Sequence, residues 1–346
     1  MRFCVLAFLR FRFVYANILL VIFMNSYPNP FIPERADPYV VKGPDGFYYF
    51  TASYPAFYNV DSGYDRIILR KSETVKGLAT AEEHTIWKAH NKGAMSKHIW
   101  APEIHYIGNK WYVFFAAGDS DNIWNIRPYI LQCKGSDPIN DPWEEKGKMQ
   151  ATENDNKSFT EFSLDMTYFE NNGKHYLIWA EKLQDSSLFM AEINPDEPWK
   201  LISLPILLTK PEYDWEKVRF AVNEGPSVLK TEEKVFVFFS ASGTGEEYCM
   251  GMIFADKNAD LMDISSWEKL PHPVLETKDL VGEAGPGHNS FVVDENGKLL
   301  LIYHARPSSH AEKQCGTFCD EVLYDPCRHA RIKEVKFDEN NTPILK

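Results

Sequence analysis

The chain has 346 residues, of which 44 % are hydrophobic and 25 % are charged. This composition is typical of a folded globular protein and excludes an intrinsically disordered chain. Lys and Arg number 37 against 49 Asp and Glu, so the formal net charge is −12. Phosphate recognition requires clustered Lys and Arg, so this balance argues against nucleic acid and disfavours a polyanionic substrate. A neutral sugar polymer stays compatible with it, and nothing in the sequence implies a protein partner.

Residues 1–26 differ in character from the rest of the chain. Arg2, Arg10 and Arg12 precede an apolar run over residues 13–24, a pattern typical of a signal peptide or anchor. No small-residue cleavage site follows the run, so a second interpretation places the true start at Met24. The first interpretation predicts a secreted or membrane-anchored protein and the second a cytoplasmic one. In both, residues 1–26 lie outside the folded domain, which we expect to span residues 27–346.

The cysteines do not form a recognisable framework. Without Cys4 five remain, and an odd number is not typical of a secreted disulfide scaffold. Cys315, Cys319 and Cys327 lie close together and His329 follows them, but their spacing matches no paired zinc pattern. We therefore interpret these three cysteines as loop thiols rather than as metal ligands.

A structural unit recurs five times along residues 27–346. Each unit has a short apolar strand opened by one polar residue, then a turn containing Gly, Asn, Asp or Glu, then an aromatic or aliphatic strand such as 111–115 or 235–239. The intervals between the polar residues are 66, 62, 59 and 64 positions, and these residues are Asp37, Glu103, Asp165, Glu224 and His288. With two further strand-like segments in each interval, this pattern predicts an all-β, five-bladed β-propeller. The alternative, an irregular β-sandwich, does not explain the near-equal spacing.

The polar residues that open these units are expected to meet at one end of the propeller axis, because the first strand of each blade lies nearest the central channel. Four carboxyl groups brought together resist ionisation, so some of them retain a proton. A protonated carboxyl facing an ionised one is the arrangement that hydrolyses glycosidic bonds. Aromatic side chains such as Trp100 and Phe220 would provide flat faces for sugar rings.

The motifs around these residues resemble those of glycoside hydrolase family 43, in order and with the expected spacing. The matching segments are residues 35–40 (RADPYV), 100–104 (WAPEI), 163–166 (SLDM), 223–226 (NEGP) and 287–290 (GHNS). Residues 303–306 (YHAR) and 323–331 (LYDPCRHAR) resemble the single-domain arabinofuranosidase branch. The resemblance implies a five-bladed β-propeller that hydrolyses α-L-arabinofuranosides or β-D-xylosides with inversion.

The resemblance also implies roles for individual residues. Asp37 becomes the general base that activates water, Glu224 the general acid, and Asp165 the residue that orients the acid and raises its pKa. Trp100 and Glu103 would line the substrate pocket.

Two further residues receive expectations from the same resemblance. Arg306 would bond sugar hydroxyls. His288 would lie on the axis, where the family often holds a calcium ion or a water molecule. The chemistry itself requires no cofactor.

The resulting prediction is an inverting, exo-acting α-L-arabinofuranosidase that releases arabinose from arabinan or arabinoxylan oligosaccharides of plant cell walls. Family xylosidases often add a C-terminal β-sandwich, and the length of this chain favours arabinan-directed enzymes. The alternatives are a β-xylosidase or an endo-arabinanase on the same fold, and a non-catalytic sugar-binding propeller. The three intact acids argue against the last of these.

Overall fold

The computed structural model describes residues 27–309 and 322–346, except positions 58 and 60. Twenty-two strands form in this part of the chain, and most belong to five antiparallel sheets. The first sheet contains β1 (Ala36–Lys42), β2 (Tyr48–Ser53), β3 (Arg66–Ser72) and β4 (Glu83–Lys88). The second contains β5 (Ala94–Ile107), β6 (Lys110–Asp119), β7 (Arg127–Cys133) and β8 (Trp143–Lys148).

The remaining sheets continue in chain order. The third contains β9 (Ser163–Asn171), β10 (Lys174–Lys182), β11 (Ser186–Asn194), β12 (Glu197–Leu201) and β13 (Ile206–Thr209). The fourth contains β14 (Asn223–Lys230), β15 (Lys234–Ala241), β16 (Cys249–Asp256) and β17 (Glu268–Lys269). The fifth contains β18 (Glu283–Val293), β19 (Leu299–Pro307) and β20 (His329–Glu334), and a small hairpin follows with β21 (Lys336–Phe337) and β22 (Pro343–Ile344).

The five sheets are the blades of a β-propeller, which confirms the predicted fold. The innermost strands β1, β5, β9, β14 and β18 contact one another in ring order, and β18 returns to β1. The segment before β1 closes this ring, because Ile32 forms an antiparallel bridge with Ala330 of β20. The first and last described parts of the chain are therefore joined in the fifth blade, which leaves that outer sheet edge covered.

The middle strands are apolar on both faces because each blade is packed between two others. Along β6, Trp111, Val113 and Phe115 face the first blade, whereas Tyr112 and Phe114 face the third. Side chains alternate between the faces of a strand, so a continuous apolar run is expected where both faces are covered. Five such apolar clusters separate the blades.

Each innermost strand carries a β-bulge, and the bulge residues mark the equivalent positions in the five blades. The ladder shifts register there in all five blades, and one residue of each bulge has a positive φ of 44–55°. These residues are Asp37, Ala101, Asp165, Gly225 and His288. The structural equivalents of Asp37 in the second and fourth blades are thus Ala101 and Gly225. The sequence pattern pointed instead to Glu103 and Glu224, because in these two blades the polar residue lies two positions after the bulge residue or one position before it.

Two further expectations can be compared with the fold. Cys327 is buried and disulfide-bonded, so its interpretation as a loop thiol is wrong, whereas Cys315 and Cys319 lie outside the described residues. Residues 1–26, with the predicted leader, also lie outside them. In the described part of the chain, no helix has the length and apolar character to span a lipid bilayer.

Candidate active site

A cavity of about 680 Å³ opens at the bulged end of the propeller axis. Asp37, Asp165 and Glu224 all contribute to its wall, so the three predicted acids come together in one space. Asp37 and Asp165 hold the positive-φ position of their bulges, which turns their side chains out of the regular strand alternation. Glu224 directly precedes the bulge residue Gly225 in the fourth blade. The bulges, rather than the strands themselves, therefore bring the acids together.

Asp37 is buried and surrounded by donors and positive charge. Ser53 donates from Oγ to Asp37 Oδ2 at 2.5 Å, and the same Oγ accepts the Ala101 backbone N–H at 2.9 Å. Asp37 Oδ1 lies 3.3 Å from Nδ1 of His304 and 3.8 Å from Nη1 of Arg328.

These neighbours decide the ionisation of Asp37. Burial acts to raise the pKa of Asp37, but the positive charges that His288 and Arg328 carry at low pH and the contact with His304 outweigh it and hold the pKa well below its ordinary value. Burial lowers the pKa of His288 and brings that of His304 to about 4. Both rings are therefore neutral at pH 7, and the guanidinium of Arg328 is the standing cation beside an ionised Asp37.

The pKa values of Glu224 and Asp165 are shifted upward, opposite to that of Asp37. Burial raises the pKa of Glu224 to about 7; the hydrogen bond from the Tyr248 hydroxyl to Oε1, at 2.9 Å, opposes the rise, and the charge of Asp37 reinforces it. Burial and the charges of Glu224 and Asp37 raise the pKa of Asp165 well above its ordinary value. Like charges in one site cannot both ionise freely, so this pair retains a proton near neutral pH.

The cavity thus contains an ionised carboxylate and a carboxyl group that holds a proton. Asp37 can accept a proton from a water molecule, and the Glu224–Asp165 pair can donate one. Asp165 Oδ2 also accepts the backbone N–H of Gly225 at 2.9 Å, which ties Asp165 to the residue after Glu224. This arrangement suits general acid–base chemistry on a substrate held between the two groups.

His288 lies on the axis among these acids, but its surroundings do not fit a calcium ion. Its Nδ1 is 3.4 Å from Asp37 Oδ1 and 3.8 Å from Asp165 Oδ2. Calcium takes six to eight oxygen ligands, whereas His288 presents a ring nitrogen to two carboxylates that serve the site. Over residues 27–309 and 322–346, no group of three or more His, Cys, Asp or Glu side chains is arranged to hold a metal.

The predicted substrate-binding residues divide into two groups. Trp100 and Phe220 line the cavity, together with the aromatic side chains of Trp124, Phe162 and Tyr248. Glu103 and Arg306 are not among the described residues that line it.

The reason is different for Glu103 and Arg306. Glu103 lies two residues beyond its bulge position, where it is buried and its Oε2 is 2.8 Å from Nε2 of His105. Arg306 is also buried, and its Nε donates to Asp325 Oδ2 at 2.8 Å while Nη2 donates to the carbonyl of Val322 at 2.9 Å. Arg306 therefore supports the segment that carries Arg328 into the site rather than facing the cavity.

Several groups in the site were not predicted from the sequence. Arg328, His304 and Tyr248 surround the acids, yet none shares the repeat position that revealed Asp37 and Asp165. Arg328 and His304 lie within the two C-terminal segments that resemble family 43, and that resemblance was the available signal. Tyr248 is the residue before β16, and nothing in the sequence marked it.

Comparisons with known proteins agree with this architecture. The family described as "Glycosyl hydrolases family 43" matches residues 27–343. An "Extracellular exo-alpha-(1->5)-L-arabinofuranosidase" of Streptomyces chartreusis is 45 % identical over 285 residues, covering 81 % of this chain and 82 % of the relative. A protein of the same name from Streptomyces avermitilis is 41 % identical over 323 residues, covering 92 % of this chain but 63 % of the relative.

Among solved structures, an alpha-L-arabinofuranosidase from Lactobacillus brevis has a TM-score of 0.81 and 40 % sequence identity. The match covers 92 % of this chain and 96 % of that protein. The chain therefore spans nearly the whole length of this neighbour but less than two thirds of the Streptomyces avermitilis relative.

Proposed function

Because this chain belongs to glycosyl hydrolases family 43, we propose that its cavity hydrolyses glycosidic bonds with inversion and releases arabinose from α-L-arabinofuranosides. The observation that carries the proposal is that Asp37, which lies among donors and beside the guanidinium of Arg328, shares one cavity with Glu224, whose pKa is raised by burial. An ionised base and a protonated acid are the two groups that an inverting glycosidase requires. A cavity that only bound sugar would have no use for this costly arrangement.

The proposed reaction is a single displacement. Asp37 takes a proton from a water molecule, whose oxygen attacks the anomeric carbon of the sugar. The bond from that carbon to the leaving oxygen breaks, and Glu224 gives its proton to the leaving oxygen. Proton exchange with solvent then restores both groups, and the sugar leaves with inverted configuration.

Asp165 serves as the positioning residue for the acid in this proposal. The charge of Glu224 raises the pKa of Asp165, so the two carboxyl groups titrate as a pair and not independently. The hydrogen bond from Gly225 N–H to Asp165 keeps the two chain segments together.

Two unpaired donors near the acids support sugar binding. The indole Nε1 of Trp100 and the Nε of Arg328 are buried and have no hydrogen-bond partner among the described residues. Both side chains line the cavity. Buried donors are normally satisfied, so these two groups are suited to donate to a ligand oxygen such as a sugar hydroxyl or ring oxygen.

We propose arabinan or arabinoxylan oligosaccharides of plant cell walls as substrates and exo action as the cleavage mode. The proposal for arabinose and for exo cleavage is supported by the names of the Streptomyces relatives, and the aromatic lining of the cavity suits an uncharged sugar. The reaction needs two carboxyl groups and water, so it requires no cofactor, and no step passes through a calcium ion at His288.

A panel of nitrophenyl glycosides tests the sugar specificity. We expect rapid release of nitrophenol from the α-L-arabinofuranoside and slow release from the β-D-xyloside. The reverse order would replace the proposal by a β-xylosidase, and no release from any glycoside would favour a binding protein.

Linear arabino-oligosaccharides test the cleavage mode. Free arabinose should appear from the first minutes, with each oligomer shortened by one unit at a time. Early accumulation of intermediate oligomers without arabinose would indicate an endo-arabinanase.

Glu224→Gln tests whether Glu224 is the general acid, because a Gln side chain cannot give a proton to the leaving oxygen. We expect a loss of roughly 10²- to 10⁴-fold on oligosaccharides, whose leaving oxygen needs protonation, and a far smaller loss on a dinitrophenyl arabinofuranoside. Full activity of the variant on oligosaccharides would show that another residue is the acid.

We further propose that the protein is exported. The basic residues and apolar run of residues 2–24 support export, and both Streptomyces relatives are named extracellular. N-terminal sequencing of the native protein, recovered separately from medium and cells, tests this. An intact chain that begins at Met24 and stays inside the cell would contradict it.

A further inference from the structure

Glu216 is a fully buried carboxylate in the segment before β14, outside the cavity lining. Its Oε2 accepts the backbone N–H groups of Glu212 and Tyr213 at 2.7 and 2.8 Å. Its Oε1 lies 2.6 Å from Nζ of Lys269 and accepts Nδ2 of Asn223 at 2.9 Å. A buried carboxylate is stable only when it is paired and hydrogen-bonded, and Glu216 has both kinds of partner.

The partners of Glu216 connect the two edges of the fourth blade. Lys269 belongs to β17, the outermost strand, and also donates to the carbonyl of Lys210 at 2.7 Å. Asn223 is the first residue of β14, the innermost strand, and directly precedes Glu224. One carboxylate therefore joins the outer edge of the blade to the residue next to the acid.

Asn223 is held on every side by this arrangement. It is fully buried, its Nδ2 donates to Glu216 and to the carbonyl of Val222, and its Oδ1 accepts the hydroxyl of Thr209 at 3.3 Å. The backbone N–H of Val222 in turn donates to the Glu216 carbonyl at 3.2 Å.

The carboxyl group of Glu224 has fewer side-chain contacts than Asn223 has. Glu224 itself is partly open to the cavity, and the hydrogen bond from Tyr248 is the one that the structure gives its carboxyl group. The direction in which the acid points is thus set by the start of β14, where Asn223 lies, and by Tyr248.

We propose that Glu216 is a positioning residue for the general acid: through Asn223, and with Lys269 as its counter-charge, it sets the placement of Glu224 against the leaving oxygen. This inference rests on the proposed function. Proton transfer depends steeply on placement, whereas bond cleavage with a leaving group that needs no proton does not. The effect of Glu216 should therefore appear only where the acid matters.

The experiment compares Glu216→Gln with the wild-type protein on arabinofuranosides of two leaving groups. Gln has the shape of Glu but lacks the charge that Lys269 pairs with, and its amide would face Lys269 or Asn223 donor to donor. We expect kcat/KM on the phenyl arabinofuranoside to fall roughly 10- to 100-fold, with little change on the dinitrophenyl arabinofuranoside.

Glu283→Gln is the matched control. Glu283 is also a buried carboxylate with an amide, a hydroxyl and a cation as partners, namely Asn29, Tyr303 and Arg331. It lies in the fifth blade and does not line the cavity. We expect any loss in this variant to be equal for the two leaving groups.

Asn223→Ala keeps the inference testable if Glu216→Gln does not fold. This variant removes the link to the acid but leaves Glu216 paired with Lys269, and the same dependence on leaving group is expected. Equal losses on both substrates, or the same selective loss in Glu283→Gln, would overturn the inference. An inactive wild-type protein would instead overturn the proposed function, and this inference with it.

Discussion

The guanidinium of Arg328 lies 3.8 Å from the carboxylate of Asp37, and the two residues come from opposite ends of the described chain. Arg328 is held in place by its own hydrogen bond from Nη2 to the hydroxyl of Tyr64, at 2.7 Å. It keeps its positive charge at every working pH, unlike His288 and His304, whose pKa values burial lowers. Arg328 thus acts with His288 and His304 to lower the pKa of Asp37, and it is the one of the three that stays charged at neutral pH.

Arg328→Met should therefore lower kcat/KM at acidic pH. Without this cation, His288 and His304 alone oppose the effect of burial, so the pKa of Asp37 should rise and the acidic limb of the kcat/KM profile should move to higher pH. Arg331→Met is the control, since Arg331 is a buried arginine that pairs with Glu283 away from the cavity. An acidic limb that stays where it is in the wild-type protein would show that Arg328 does not control Asp37.

Asp37→Ala tests the base directly. We expect kcat to fall roughly 10²- to 10⁴-fold, because water loses the group that accepts its proton. Azide is a nucleophile that needs no deprotonation, so added azide should restore turnover of an activated arabinofuranoside and give a glycosyl azide of inverted configuration. Product analysis by NMR distinguishes the outcomes, and a product of retained configuration would contradict single displacement.

Asp165→Asn should move the basic limb of the pH profile. The proton shared by Glu224 and Asp165 is held partly by repulsion between the two carboxylates, and a neutral amide in place of the Asp165 carboxyl removes that repulsion. The last proton of the pair should therefore leave the variant site at lower pH than it leaves the wild-type site. The basic limb of kcat/KM should then appear at lower pH, and a limb that moves to higher pH would argue against the coupling.

Glu224→Gln should make the fold more stable at neutral pH. A carboxyl whose folded pKa is raised contributes favourably below its unfolded pKa, near 4.5, and this contribution is lost as pH rises through about 7. The variant should thus match the wild-type protein near pH 4 and exceed its free energy of unfolding by roughly 2 kcal/mol above pH 7, after allowance for the solvent-open part of the side chain.

Urea denaturation at a series of pH values measures this difference. Glu283→Gln provides the comparison, because it removes a buried carboxylate that is already paired with Arg331. That variant should be less stable than the wild-type protein at neutral pH. A Glu224→Gln variant that is less stable at every pH would show that folding does not raise the pKa of Glu224.

The amino-acid sequence alone was sufficient for the five-bladed fold and for three of the acids. Turn residues and alternating strands are local features, and their repetition at intervals near 60 residues predicts the number of blades. Asp37, Asp165 and Glu224 were recognisable because the polar residues recur with the blades. Trp100 and Phe220 followed as neighbours of those positions.

Only the tertiary structure decided which groups surround the acids. The bulges put Ala101 and Gly225 where the spacing suggested Glu103 and Glu224, since in these two blades the polar residue lies beside the bulge residue and not on it. The closed ring brings Arg328 and His304 from the last blade to Asp37 in the first. Ionisation depends on burial and on charges a few ångströms away in space, and sequence distance carries no information about either.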